Sequence, residues 1–200
     1  MKVAARAAIA TVALTGVLHG QTPSSADALI SSLKKGGYVI VMRHAASPRE
    51  TPDAKTANKD NTKLERQLDE TGRSTAAAMG KAIRDLKIPI GEVLSSPTYR
   101  ALETVRFAQL PTVKPQEELG DGGQSMQAVA EAQAKWLRER VTQLPKGTNT
   151  LLVTHMPNIS RAFPDWGAVA DGEAVVVGPD GKNGVGPVGR IKIEDWPRAR

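Results

Sequence analysis

Short apolar runs alternate with amphipathic stretches along most of the chain. Residues 38–42 and 151–153 are continuous apolar runs rich in β-branched side chains, which is typical of strands buried on both faces. Residues 93–94 indicate a shorter strand. Between these strands, apolar residues recur at helical spacing and predict helices at residues 28–35, 76–86, 97–108 and 126–144, with another beginning near Pro157.

Two further segments complete this pattern. Residues 47–66 are polar, rich in charge and without periodicity, so they predict a long loop. Residues 174–177 and 188–193 flank a turn at residues 179–181 and predict a late hairpin. Strands that alternate with helices imply an α/β fold, here a three-layer α/β/α sandwich with a mostly parallel central sheet.

The N-terminal residues have the pattern of a secretory signal. Lys2 and Arg6 precede an apolar stretch at residues 7–18, and small or polar residues follow as far as Ala26. We therefore expect a signal peptide at residues 1–26, a mature domain at 27–200, and a periplasmic or secreted protein. The apolar stretch is shorter than the roughly 20 residues that span a bilayer, so no stable membrane insertion is expected.

The composition excludes several classes of protein. A chain of 200 residues with 40% hydrophobic and 24% charged residues is ordinary for one soluble domain, not for a disordered or fibrous chain. Cysteine is absent, which excludes disulfides, thiolate metal sites and cysteine nucleophiles. The net charge of +6 is scattered rather than arranged in a stripe, which favours anionic small-molecule ligands over nucleic acid.

Polar residues of unusual type follow three of the predicted strands. The strands run into Arg43-His44, into Ser95-Ser96-Pro97 with Arg100 one turn later, and into Thr154-His155. In open α/β sheets, ligands bind outside the carboxyl ends of the strands. The topology would therefore bring both histidines of the mature chain and two arginines to one edge of the sheet.

These residue types suit the transfer of a phosphoryl group. Two guanidinium groups can each bind phosphoryl oxygens with two hydrogen bonds, and they stay charged at any relevant pH. A neutral imidazole is a competent nucleophile, and a second imidazole can stabilise the transferring group. No spacing of His, Asp and Glu indicates a metal site, so no cofactor is expected.

The motifs at these strand ends are similar to those of the histidine phosphatase superfamily, also called the phosphoglycerate mutase-like superfamily. Val41-Met42-Arg43-His44-Ala45 resembles its Arg-His-Gly signature, and residues 95–104 resemble its Ser-Ser-Pro-x-x-Arg-Ala-x-x-Thr motif. Residues 152–158 resemble its third motif, Val-Gly-His-x-Pro-x, and residues 68–73 resemble the Leu-Thr/Ser-x-x-Gly-x segment. Order and spacing agree over residues 37–159.

The resemblance implies the phosphoglycerate mutase-like fold and a role for each matching residue. His44 would be the nucleophile that forms a phosphohistidine, and Arg43, Arg100 and His155 would complete the phosphate pocket. The chain departs from the family pattern where Ala45 and Thr154 replace glycines. Both substitutions add a side chain next to the expected pocket and could narrow it.

The general acid that protonates the leaving group is less well marked. Many family members carry this acid in the region that corresponds to residues 116–123. Glu118 is the preferred candidate, because it precedes Gly122 by four residues, as in the Glu-x-x-x-Gly pattern of the mutases. Asp121 and Glu117 are the alternatives.

The leading hypothesis is thus an exported, metal-independent phosphomonoesterase that acts through a phosphohistidine. Its ligand would be a small-molecule phosphate ester or inorganic phosphate, and residues 47–66 with the region after Glu117 would select it. The alternatives are phosphoglycerate mutase-like activity, phosphohistidine phosphatase activity, or a non-catalytic module that binds a phosphorylated ligand. The sequence indicates neither the natural substrate nor the oligomeric state.

Overall fold

The computed structural model describes residues 26–122, 130–181 and 184–198. Most of the predicted signal peptide, residues 1–25, lies outside this range, as do Met126 and Val129 of the predicted long helix. The helices are α1 (Ala26–Leu33), α2 (Glu70–Asp85), α3 (Tyr99–Ala108), α4 (Glu131–Val141) and α5 (Met156–Ala162). The strands are β1 (Val39–Arg43), β2 (Ile90–Ser95), β3 (Val113–Pro115), β4 (Asn149–Thr154), β5 (Ala174–Pro179) and β6 (Val185–Ile191).

The six strands form one sheet in the order β3-β2-β4-β1-β5-β6. The first four strands in this order are mutually parallel, whereas β5 runs antiparallel to β1 and pairs with β6 in a hairpin. The register places Arg43 opposite Thr154 and Ser95 opposite Val153. The carboxyl ends of β1, β2 and β4 therefore meet at one edge of the sheet, as the sequence predicted.

Helices pack against both faces of the sheet. Successive strand residues point to opposite faces, so the apolar strands present apolar side chains on each face for the helices to cover. Ile40 and Met42 of β1 pack into a core with α1, α2 and α3, whereas Val39 and Val41 pack into a second core with α4 and α5. All four of these strand residues are buried. The predicted three-layer α/β/α sandwich with a mostly parallel sheet is confirmed.

The long loop predicted at residues 47–66 contains no helix or strand, and the buried Glu103 of α3 holds it in place. The Glu103 carboxylate accepts hydrogen bonds from Asn58 Nδ2 at 2.8 Å and from the Leu68 N–H at 2.7 Å, and it pairs with Arg106 at 3.1 Å. Burial raises the pKa of Glu103, while the hydrogen bond from Leu68 and the charge of Arg106 oppose that shift. Glu103 thus fixes the chain against α3 at the middle of the loop and two residues beyond its end.

Several boundaries differ from the sequence expectation. Helix α3 begins at Tyr99 rather than Pro97, and α4 ends at Val141, three residues before Leu144. Leu144 precedes Pro145, and the proline ring disfavours helical geometry at the residue before it. In the part of the chain that the structure describes, no helix is both long and apolar enough to cross a membrane.

Candidate active site

A cavity of about 510 Å³ opens where β1, β2 and β4 end. Its volume lies within the range of pockets that bind small organic molecules. Most of its wall is polar. The described residues that line it are Arg43, His44, Ser47, Arg49, Arg66, Arg100, Asp121, His155, Met156, Pro157 and Asp171.

His44 is buried directly after β1, and its two hydrogen bonds determine which ring nitrogen carries the proton. Nδ1 lies 2.7 Å from the Ala45 carbonyl oxygen, which can only accept, so Nδ1 carries the hydrogen. Nε2 accepts a hydrogen bond from Arg100 Nε at 3.2 Å. The lone pair of a neutral His44 therefore lies on Nε2, at the side of the ring where Arg100 binds.

Burial is the main reason why His44 is neutral. It lowers the pKa to about 3, with smaller contributions in the same direction from Arg100 and Arg43, while the hydrogen bond to Ala45 acts against the shift. The neighbouring guanidinium groups thus contribute less to this pKa shift than the loss of solvent does. A neutral imidazole at pH 7 is the form that can attack an electrophile.

His155 follows β4 and has the opposite tautomer. Its Nδ1 lies 3.1 Å from Arg100 Nη2, and since a guanidinium can only donate, Nδ1 is the acceptor. Nε2 then carries the hydrogen and lies 2.8 Å from Ser96 Oγ. Burial, followed by the charge of Arg100, holds the pKa of His155 well below its usual value. The two imidazole rings lie edge to face, with centroids 5.1 Å apart.

Arg100 connects these groups from the first turn of α3. The side chain is 5% exposed and contacts both histidines. It also forms an ion pair with Asp121, which lines the same cavity. One guanidinium therefore joins the two imidazoles to a carboxylate at the centre of the pocket.

Arg43 also lines the pocket and is anchored by the segment before β5. Its Nη1 donates to the Val169 carbonyl at 2.9 Å, and its Nη2 pairs with Asp171 at 2.6 Å. Arg43 Nε is buried and has no hydrogen-bond partner among the described residues. The donors of this guanidinium are thus not all used by protein acceptors.

In the segment of residues 116–121, which follows β3, Asp121 lines the cavity and Glu118 does not. Asn158 Nδ2 donates to the carbonyls of Glu118 at 2.7 Å and Gly120 at 3.0 Å, which fixes the backbone of this segment. The Glu118 carboxylate accepts a hydrogen bond from Gln116, and Glu118 is absent from the described residues that line the cavity. Glu117 is exposed and is likewise absent from that lining.

The two departures from the family glycines lie outside the cavity lining. Thr154 Oγ1 donates to the Leu119 carbonyl at 2.7 Å, so this side chain helps to hold the segment that leads to Asp121. Ala45 is buried in the core, and its N–H donates to Thr104 Oγ1 at 3.0 Å. The structure therefore places neither methyl-bearing side chain where it would narrow the pocket.

The structure brings together four of the five predicted site residues, His44, Arg43, Arg100 and His155, and leaves Glu118 outside. It adds Ser47, Arg49, Arg66 and Asp171, which the motifs did not single out. Arg66 Nε donates to the Pro48 carbonyl at 2.5 Å and Nη2 donates to the Ser47 carbonyl at 3.0 Å. These contacts join the end of the long loop to its beginning. The loop sequence has no periodicity, so it could not indicate that its two ends meet.

The described residues contain no group of three or more His, Cys, Asp or Glu side chains arranged to hold a metal ion. The charges that face the cavity come instead from guanidinium groups and two carboxylates. The arrangement combines a buried neutral imidazole, two buried or partly buried guanidinium groups and a carboxylate. Such a site can bind a phosphoryl group, attack it and deliver a proton.

Comparison with known proteins agrees with the motifs. Residues 39–120 match the model of the histidine phosphatase superfamily (branch 1). This region contains β1 with Arg43, the helix that carries Arg100, and the segment up to Gly120. No curated protein sequence matches the chain.

Solved structures share the fold at low sequence identity. The protein histidine phosphatase SixA complexed with tungstate is 17% identical with a TM-score of 0.52, and the match covers 79% of this chain and 98% of that one. YhfR from Bacillus stearothermophilus is 17% identical with a TM-score of 0.52, covering 76% and 95%. A mutant phosphoserine phosphatase from Entamoeba histolytica in complex with phosphoserine is 11% identical with a TM-score of 0.53, covering 78% and 98%. The predicted phosphoglycerate mutase-like fold is therefore confirmed.

Proposed function

We propose that this chain, whose residues 39–120 match the model of the histidine phosphatase superfamily, is a metal-independent phosphomonoesterase that acts through a phosphohistidine. The observation that carries the proposal is the His44 ring, neutral at pH 7 and with its lone pair on Nε2 beside Arg100. A phosphoryl group bound by Arg100 and Arg43 places phosphorus next to that nitrogen. The guanidinium groups stabilise the charge on the phosphoryl oxygens, as preorganised donors do in acyl and phosphoryl transfer.

The first half-reaction transfers the phosphoryl group to His44. Arg100 Nε releases the Nε2 lone pair when it turns to the phosphoryl oxygens, and Nε2 then attacks phosphorus. The bond from phosphorus to the ester oxygen breaks, and this oxygen leaves with a proton from a carboxylic acid. In the second half-reaction, the carboxylate takes a proton from water, the water oxygen bonds to phosphorus, and the bond from phosphorus to His44 Nε2 breaks. The products are inorganic phosphate and neutral His44, and the carboxylic acid is restored.

Asp121 is the acid that this geometry favours. It lines the cavity and pairs with Arg100, the residue that would bind the phosphoryl group. A phosphate ester bound at Arg100 would have its leaving oxygen near Asp121, and the proposed role requires this carboxyl to carry a proton. That proton can then be given to the leaving oxygen. Glu118, the acid preferred from the sequence, is held by Gln116 away from the lining residues.

Rapid acid quench with ³²P-labelled aryl phosphate tests the nucleophile. Wild-type protein should yield an acid-labile, base-stable phosphoenzyme, and His44→Ala should yield none and lose turnover. Arg100→Ala should lose both affinity and rate, because an arginine binds the phosphoryl group in the ground state and the transition state alike. Turnover should survive a chelator and be inhibited by vanadate.

Two results would contradict the proposal. Turnover by His44→Ala near the wild-type rate would exclude the phosphohistidine, and restoration of chelator-inhibited activity by Mg²⁺ or Zn²⁺ would exclude a metal-independent mechanism. Stoichiometric phosphate binding without any phosphoenzyme or product would instead indicate a binding module. Transfer of the label to a second hydroxyl of a phosphoglycerate acceptor would indicate a mutase.

We also propose that the protein is exported. The support is the order of charged, apolar and small residues over residues 1–26. Asp27 lies in the first turn of α1, where a negative charge favours the N-terminus of a helix. Intact-mass measurement on fractionated cells should find a mature chain that begins near Asp27 or near Gln21 outside the cytoplasm. Full-length protein with Met1 in the cytoplasm would contradict export.

A further inference from the structure

Three successive backbone carbonyls, those of residues 118–120, accept hydrogen bonds from one short stretch of the chain. Thr154 Oγ1 donates to the middle carbonyl at 2.7 Å. Asn158 Nδ2 donates to the first carbonyl at 2.7 Å and to the third at 3.0 Å. Thr154 ends β4 and Asn158 lies in the first turn of α5, on either side of His155. The junction that places His155 therefore also holds the backbone that leads to Asp121.

These hydrogen bonds lie out of reach of solvent. Thr154 and Asn158 are both fully buried. Gln133 Nε2 approaches the carbonyls of residues 117 and 120 at 3.4 and 3.5 Å, which are longer distances than those from Thr154 and Asn158. A buried carbonyl that loses its donor cannot turn to water instead, so the two buried side chains fix the path of this backbone.

The held backbone ends one residue before the carboxylate of the pocket. The Leu119 side chain is buried in the second core while its carbonyl is held by Thr154, so this residue is fixed at two points. Asp121 follows closely, lines the cavity and pairs with Arg100. Proton transfer requires heavy atoms within hydrogen-bond distance, about 2.6–3.2 Å. A small shift of this segment would therefore impair proton transfer more than phosphoryl binding, which the arginines of β1 and α3 would provide.

We infer that Thr154, assisted by Asn158, is a positioning residue that fixes the Asp121 carboxyl for proton transfer to the leaving oxygen. The Thr154 hydroxyl acts through the Leu119 carbonyl, and Thr154 is absent from the described residues that line the cavity. This inference rests on the proposed function, because Asp121 needs a fixed position only if it donates that proton.

Thr154→Val tests the inference, because it replaces the hydroxyl with a methyl group of similar size. The value of kcat/KM reflects the first half-reaction, in which the alcohol leaves. For alkyl phosphates it should fall about tenfold, a part of the roughly 10²-fold contribution of a general acid. For aryl phosphates with good leaving groups it should change by less than about twofold, since they need little protonation. Thr154→Ser keeps a hydroxyl and should restore the rate on alkyl phosphates.

Thr150→Val is the matched control. Thr150 lies on the same face of β4, is also buried, and its Oγ1 accepts a hydrogen bond from Arg140 at 3.3 Å, outside the cavity lining. This variant should leave both rates near the wild-type values. Asn158→Ala removes the other two hydrogen bonds and should give the same loss specific to alkyl phosphates as Thr154→Val. It decides the question alone if Thr154→Val fails to fold.

Two further measurements separate positioning from a general effect on the fold. In an Asp121→Asn background, Thr154→Val should cause no further loss on alkyl phosphates, because the acid that it positions is absent. The N–H groups of Leu119 and Gly120 donate to the carbonyls of residues 116 and 117 at 3.0 and 2.9 Å. Their hydrogen exchange, measured by NMR, should be about tenfold faster in Thr154→Val than in Thr150→Val, because the segment opens more easily.

Equal losses of Thr154→Val on both types of ester, or losses that multiply in the double variant, would overturn the inference. An unimpaired Thr154→Val would overturn it too, as would an unimpaired Asp121→Asn, because there would then be no acid to position. None of these results would affect the phosphatase proposal if labelled substrate still phosphorylates His44. Conversely, absence of a phosphoenzyme would overturn the phosphatase proposal. The exchange rates would then decide the inference, since faster exchange in Thr154→Val supports it and equal rates overturn it.

Discussion

In each of the two histidines, the acceptor and donor atoms around the ring determine which nitrogen carries the proton. The Ala45 carbonyl assigns the proton of His44 to Nδ1, and the Ser96 hydroxyl allows that of His155 to lie on Nε2. Arg100 donates to the remaining nitrogen of each ring. With a pKa of about 3, His44 stays neutral throughout the mildly acidic range, so its protonation does not limit activity between pH 5 and 7.

The variant Asp121→Asn tests whether Asp121 is the general acid. If Asp121 protonates the leaving oxygen, this variant should slow alkyl phosphates by about 10²-fold or more, the usual contribution of a general acid. Aryl phosphates with good leaving groups should be slowed far less. The measurement is kcat/KM on both substrate types.

Glu118→Gln is the matched control for that prediction, since its carboxylate contacts Gln116 in the same segment. It should leave both rates near the wild-type values. A loss specific to alkyl phosphates in Glu118→Gln, with none in Asp121→Asn, would return the role of acid to Glu118.

The residues that the sequence could identify are those that follow a strand directly. Arg43, His44 and His155 are placed by the ends of β1 and β4, and Arg100 is placed by the first turn of α3, so strand prediction was enough to bring them together. Arg66 and Asp171 reach the cavity through loop closures, and Asp121 does so through hydrogen bonds from Thr154 and Asn158 to its segment. Such long-range contacts leave no periodic signal in the chain.

At the scale of elements, helices α2 and α3 hold the segment that follows His44. The Asp69 N–H donates to the Ala46 carbonyl at 3.2 Å, and the Thr104 hydroxyl accepts from the Ala45 N–H at 3.0 Å. The Asp69 side chain also caps α2 by accepting from the Gly72 N–H at 2.7 Å. The first turn of α2 therefore lies directly against the backbone next to His44.

Gly72→Ala should disturb this contact. A Cβ at position 72 would lie 2.1 Å from the Ala46 carbonyl oxygen, so the backbone must move. We expect the free energy of unfolding to fall by about 1–3 kcal/mol through overpacking, although alanine is the better helix former by about 1 kcal/mol. We also expect kcat/KM to fall, since displacement of a reacting group by about 1 Å can cost about 10²-fold in rate.

Urea unfolding and steady-state kinetics measure the two effects. Ser74→Ala is the control, because Ser74 is exposed on the same helix and its replacement changes helix propensity without a close contact. If Gly72→Ala were as stable and as active as Ser74→Ala, the contact between α2 and residue 46 would not constrain the site.

The strands and helices with long apolar patterns were predicted well. The short strand β3 at the edge of the sheet was not predicted. Strand β3 has three residues, of which Lys114 and Pro115 are exposed, so neither alternation nor an apolar run marks it. Its pairing with β2 defines it, and that pairing is a long-range contact. The core strands β1 and β4 are buried on both faces, which is why an uninterrupted apolar run was sufficient to identify them.

At the scale of the whole molecule, the two buried histidines connect the stability of the fold to pH. The pKa of His44 is lowered to about 3 and that of His155 well below its usual value, chiefly by burial. Below pH 6.5 the unfolded chain binds protons at these positions, whereas the folded chain does not. The free energy of unfolding should therefore fall as the pH decreases from 6.5, by about 1.4 kcal/mol per pH unit for each histidine.

Urea unfolding at pH 7, 6 and 5 measures this slope. His44→Gln should lower the slope below pH 6.5 by about one proton, because only one buried histidine then remains. Glu103, whose pKa is raised by burial, acts in the opposite direction, and comparison of the two proteins cancels its contribution. Identical slopes in the two proteins would show that His44 is not held neutral by the fold.

The reversal of β5 has a consequence for how such a pocket can be re-engineered. Because β5 enters the sheet antiparallel to β1, residues 167–173 arrive at the edge where the parallel strands leave it. A cassette exchanged between α5 and β5 would therefore replace the Val169 and Asp171 partners of Arg43. It would also replace Gly172, whose N–H donates to the His44 carbonyl at 2.9 Å. An exchange of this segment would therefore change the support of Arg43 and of His44 together, although it lies far from both of them in the sequence.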